Sequence, residues 1–116
     1  MTNRRLVLVE RDELIRTGIQ TLIEGEDHAI TLMTYNDLEH LQTDLEQTLL
    51  DPFDVMIIDD SASTPVQIFE WLVYFEARFP STKIILLSER LCSLYIHKII
   101  SMGVVAYIHQ QEIGFV

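Results

Sequence analysis

Cysteine occurs once in the 116 residues, at Cys92, so no disulfide can close within the chain. A lone thiol suits a reducing compartment, and the expected location is the cytoplasm. Long apolar runs are missing too. None approaches the ~20 residues that a helix needs to cross a bilayer, so no membrane association is expected. The opening MTNRRLVLVERDE has an apolar stretch too short for a secretory signal, and acids follow at once. Basic residues are scarce: 8 Lys and Arg against 18 Asp and Glu leave a net charge of −10. That balance argues against direct nucleic-acid binding, which needs a basic face. Only 3 prolines and 4 glycines occur, with no repeat or low-complexity tract, so residues 1–116 read as one domain. Its 48% hydrophobic content is enough for one ordinary core.

What is present is a regular alternation. LVLV (Leu6 to Val9), ITLMTY (Ile30 to Tyr35), VMII (Val55 to Ile58), KIILLS (Lys83 to Ser88) and VVAYI (Val104 to Ile108) are short apolar runs that read as strands. Between them lie helical patterns. Leu14, Ile15, Gly18, Ile19, Leu22 and Ile23 recur at helical spacing. Asn36 with Glu39 has the form of a capping box before Leu38, Leu41, Leu45 and Leu49. A third helix is expected from Pro65 to Phe79, stopped by Pro80, and a fourth from Arg90 to Met102 with Gly103 as its cap. Strict alternation of strand and helix predicts a doubly wound α/β sandwich with a five-stranded parallel sheet.

In such sheets, sites lie beyond the C-terminal strand ends. Glu10-Arg11-Asp12 follows the first strand, Asp59-Asp60 the third, Ser88-Glu89 the fourth and His109-Gln110 the fifth. Adjacent acids at the end of a buried strand repel and need solvent or a cation. Arg11 is the nearest expected counter-charge. His28, His40, His97 and His109 lack metal-ligand spacing and read as surface residues. Trp71, Tyr74 and Phe75 read as core with an exposed rim, and Cys92 as a small core residue. The bulky acidic ERDEL after the first strand is unsuited to holding a phosphate-bearing cofactor, and no G-x-S-x-G elbow occurs. No enzymatic activity is expected.

LVLVERDELIRTGIQTLI, FDVMIID, FPSTKIILLS and MGVVAYIHQ together resemble the receiver domain of two-component response regulators, above all receivers joined to LuxR-type helix-turn-helix domains. The resemblance spans the chain and implies the flavodoxin-like receiver fold, sheet order 2-1-3-4-5. It puts the phospho-acceptor aspartate at Asp59, the acidic pocket at Glu10, Asp12 and Asp60, and the switch hydroxyl and switch aromatic at Ser88 and Tyr107. The site departs from the family pattern at two places: Arg11 stands where a second acid is expected, and Gln110 stands at the lysine position. Glu10 and Asp59 are the residues left to hold a metal, and Mg²⁺ is the cation that the resemblance implies. Two readings follow. One is an atypical receiver working by dimerisation and protein contact in a transcription regulator. The other is a phospho-receiver that takes a phosphoryl group on Asp59 from a histidine kinase.

Only QQEIGFV follows the fifth strand, so the closing helix of the receiver fold is expected to be missing or truncated. The fourth helix carries Leu91, Leu94, Tyr95, Ile99 and Met102 on more than one face, more than one core contact requires. A homodimer through that helix and the fifth strand, or through an exchanged C-terminal segment, is therefore expected. A C-terminal helix-turn-helix effector domain is expected outside this chain.

Overall fold

Each of the five apolar runs forms a strand, and each amphipathic pattern between them forms a helix. Residues 3–26, 29–47 and 53–109 are described in the computed structural model. In chain order they form β1 (Arg4–Val9), α1 (Glu13–Glu26), β2 (Ile30–Tyr35), α2 (Leu38–Gln47), β3 (Val55–Asp59), α3 (Pro65–Arg78), β4 (Lys83–Ser88), α4 (Ser93–Ser101) and β5 (Val104–His109). The strands are all parallel, in the order β2-β1-β3-β4-β5. This is the doubly wound, receiver-type order expected from the sequence. The stretch that would carry a closing helix, and the lysine position Gln110, lie outside the described residues.

Side chains alternate across a strand, so each strand feeds two cores. Val7, Val9, Met56, Ile58 and Leu86 join α2, α3 and α4 in the larger one, around Leu41, Leu72, Phe75 and Ile99. Leu8 and Leu87 join Ile19 of α1 on the opposite face, with Ile57 and Ile108 only partly buried there. As expected, Phe75 is buried, and Trp71 and Tyr74 form a half-buried rim. No described helix is long and apolar enough to cross a membrane.

Helix ends follow local chemistry, with two departures from expectation. Thr64 and Gln67 form a capping box on α3, with Pro65 in the first turn. Gly103 adopts φ 98°, the left-handed conformation that closes α4 without a Cβ penalty. α2, however, is capped by Asp37, whose Oδ1 accepts from the His40 amide at 2.8 Å. Asn36 instead accepts from Arg16 at 2.5 Å. α4 starts at Ser93 rather than Arg90, because the Arg90 amide donates to Ser88 Oγ at 3.0 Å and the chain stays extended through Cys92. That extension leaves Cys92 exposed instead of in the core.

Candidate functional site

The strand register explains how two acids end β3 side by side. Asp59 pairs with Leu87, on the α1 face of the sheet, and the Asp60 amide continues the ladder to the Leu87 carbonyl at 3.1 Å. Successive residues point to opposite faces, so the two carboxylates diverge. Asp60 turns towards α3 and α4 and is only 1% exposed. There its Oδ2 accepts from Ser88 Oγ at 2.7 Å and Tyr95 Oη at 2.7 Å, and pairs with Arg90 Nη1 at 3.0 Å.

Arg90 is the centre of this arrangement. Its Nη2 donates to the Ser63 carbonyl at 2.5 Å, and its guanidinium lies 5.1 Å from the Tyr95 ring centroid. Its own carbonyl accepts from Tyr107 Oη. Burial pulls the Arg90 pKa down, but the Asp60 charge and the bond to Tyr95 outweigh that, so it stays firmly protonated. Burial and the bond to Asp60 push the Tyr95 phenol up. The hydroxyl therefore remains a donor.

Arg11 is not the counter-charge. It is exposed and makes no ion pair among the described residues; Arg90 neutralises Asp60 instead. The physical reason is the strand alternation, which turns Asp60 away from the β1 end and towards the loop after β4. Sequence reasoning listed Ser88-Glu89 after β4 and stopped one residue short of Arg90. A cation beside a strand end that neighbours β3 was the available signal. Tyr95 had no comparable signal, since it read as one of the apolar residues of the fourth helix.

On the other side lie Glu10 and Asp59, 1% and 7% exposed. Asp59 accepts from Ser61 Oγ at 2.6 Å and the Ser61 amide at 3.2 Å. Glu10 Oε1 accepts from the Asp12 amide at 3.1 Å, while its buried Oε2 has no hydrogen-bond partner among the described residues. Burial, reinforced by the Asp59 charge, pushes Glu10 up to about 8. Asp12 stands apart from the pocket: it is exposed and caps α1, accepting from the Leu14 amide at 2.9 Å and the Ile15 amide at 3.3 Å. No three His, Cys, Asp or Glu side chains among the described residues are grouped to hold a metal ion. Of the two switch positions, Ser88 donates directly to Asp60, and Tyr107 is joined to it through the Arg90 carbonyl.

Two expectations about stability follow. Asp60→Ala strands Arg90 and should cost roughly 2–4 kcal/mol in urea unfolding, moderated because Arg90 keeps some solvent contact. Arg11→Ala should change stability by less than about 0.5 kcal/mol. For Glu10, the folded chain holds a proton that the unfolded chain, with an ordinary pKa of 4.5, releases. Stability should therefore be highest for this group below pH 4.5 and decline as pH rises towards 8. Glu10→Gln should flatten that decline and gain on the order of 1–3 kcal/mol at the alkaline end.

No family model matches the chain, and no curated protein matches it. Solved structures do. A response regulator from Thermotoga maritima superposes with a TM-score of 0.76 at 16% identity, over 95% of this chain and 86% of that one. A LuxR family DNA-binding response regulator from Silicibacter pomeroyi gives 0.74 at 20% identity, over 92% and 79%. A structure of two RcsB dimers bound to two parallel DNAs gives 0.77 at 18% identity; the match covers 98% of this chain but 56% of that one. At such identities the likeness is one of fold, and the fold is that of a response-regulator receiver domain.

Proposed function

We propose that this chain is a receiver-like signalling domain of a transcription regulator, set in its state without phosphorylation and acting through self-association and protein contact. The observation that carries this reading is the bond from Ser88 Oγ to Asp60 Oδ2. A serine hydroxyl has one proton to donate. In phosphoryl transfer to a carboxylate the protein supplies position and charge neutralisation, and by the resemblance Ser88 would hold a phosphoryl oxygen. Here an internal carboxylate already holds that hydroxyl, and Arg90 and Tyr95 hold the carboxylate. Tyr107 is likewise committed, to the Arg90 carbonyl. The chain's own acid occupies the donors that an incoming phosphoryl group would need.

The donor set is also a poor fit to Mg²⁺. A hard divalent cation takes several oxygen ligands, whereas Arg11 occupies the place of a second acid and no three acidic side chains are grouped to hold a metal ion among the described residues. Output would run through the α4–β5 side, where Leu94, Ile100 and Val105 are exposed apolar residues. Exposed apolar side chains on this side offer a surface for association. RcsB, which shares this fold, has been solved as dimers on DNA. A DNA-binding domain C-terminal to these residues would read the dimer.

Intact-mass measurement after treatment with acetyl phosphate and Mg²⁺ should show no stoichiometric phosphoryl adduct. Rapid addition of one phosphoryl group, lost in Asp59→Asn, would instead establish the phospho-receiver reading with a histidine kinase as donor. Sedimentation over a concentration series should show a dimer that Leu94→Asp and Val105→Asp weaken by tenfold or more; a monomer throughout would remove self-association from the proposal.

A further inference from the structure

One oxygen of Asp60 is the meeting point of three side chains. Ser88 Oγ and Tyr95 Oη each donate to its Oδ2 at 2.7 Å, and Arg90 Nη1 pairs with it at 3.0 Å. Asp60, Ser88 and Tyr95 are buried, and Arg90 is half-buried. Convergent donors that include a fixed cation are the chemistry of an oxyanion seat. Here the anion in the seat belongs to the chain itself.

The seat positions more than one ion pair. Tyr95 lies in the first turn of α4, and its ring packs on Phe69 of α3 at 5.8 Å between centroids. Arg90 holds the β3–α3 loop through the Ser63 carbonyl, and its own carbonyl receives the Tyr107 hydroxyl from β5. The start of α4 has no local substitute for these contacts, because Cys92 at its cap position makes no side-chain cap bond. The placement of α4 and of the β5 end therefore depends on one buried carboxylate.

The same residues also face the surface. Arg90 and Tyr95 line a hollow of about 590 Å³ together with Phe69, Leu91 and Leu94. Leu91 and Leu94 are 75% and 81% exposed, and the exposed Val105 stands two residues before Tyr107 on β5. Leu94 and Val105 belong to the surface proposed above for self-association. A shift in the first turn of α4 would move that surface.

We propose that Asp60 is a built-in anion that fixes the α4–β5 surface in its associating arrangement, so that emptying its seat switches the surface off and a free carboxylate in the seat switches it back on. Asp60 is a positioning residue: it acts through Arg90, Tyr95 and Tyr107. The consequence for association rests on the function proposed above. The consequence for the placement of α4 and β5 does not, and the two are read by separate measurements.

The test compares the native chain with Asp60→Ala by hydrogen exchange and by sedimentation. Each is run in sodium formate and in sodium chloride at equal ionic strength. Amides of α4 and of the β5 end should exchange about tenfold faster or more in Asp60→Ala, while those of β1 and α2 stay near native. The dimer should weaken by a similar factor. Formate, the smallest carboxylate, should reverse both changes saturably where chloride does not. It should fail when Arg90→Met is added to Asp60→Ala. Tyr95→Phe keeps the ion pair and the ring packing, and should show a smaller rise in exchange confined to the same amides. Should Asp60→Ala fail to fold, Tyr95→Phe decides.

Unchanged exchange in α4 and β5, a rise spread evenly over the sheet, or formate acting no better than chloride would overturn the proposal. A native chain that stays monomeric removes self-association, and the exchange comparison then decides the role of Asp60 alone.

Discussion

A carboxylate that is 1% exposed has to be compensated inside the protein, and the compensation of Asp60 organises the whole C-terminal edge of the sheet. An unpaired buried charge of this kind costs several kcal/mol. Its partners therefore converge from every neighbouring element: Ser88 from the end of β4, Arg90 from the loop beyond it, Tyr95 from α4. Arg90 extends the connection further. Its guanidinium holds Ser63 in the β3–α3 loop, and its carbonyl receives the Tyr107 hydroxyl from β5. The β3–α3 and β4–α4 loops and strand β5 are thereby tied through one arginine.

This network divides the strand end into two chemically different sides. Towards α3 and α4, charge and hydrogen-bonding capacity are closed on themselves around Asp60. Towards α1, Glu10 keeps a buried oxygen with no hydrogen-bond partner among the described residues and a raised affinity for its proton, next to Asp59. The separation matters for reactivity, because a hydroxyl or phenol already donating to one carboxylate cannot also neutralise charge growing on another.

The layering was largely legible from residue pattern. Unbroken apolar runs imply strands buried on both faces, and crossovers between parallel strands imply helices, so the class followed from the alternation, while the strand order was implied by the family resemblance. Pro65 and Pro80 marked α3 because proline chemistry acts within a few residues. The α2 cap was misplaced by one residue, since Asn36 and Asp37 are both capable acceptors and only the contact with Arg16 assigns Asn36 elsewhere.

The candidate site divides along the same line. That acids and a hydroxyl gather at one sheet edge was determined by the sequence alone, because every strand of a parallel sheet ends on the same side. Which acid meets which partner was decided only by the tertiary structure. Asp59 and Asp60 differ by one position in the chain yet face opposite layers, and Arg90 reaches Asp60 across 30 residues of sequence while Arg11, nearer the expected site, does not. Pairing of charges depends on strand register and on the face each side chain takes, and both are set by the packing of α1, α3 and α4 against the sheet rather than by local spacing.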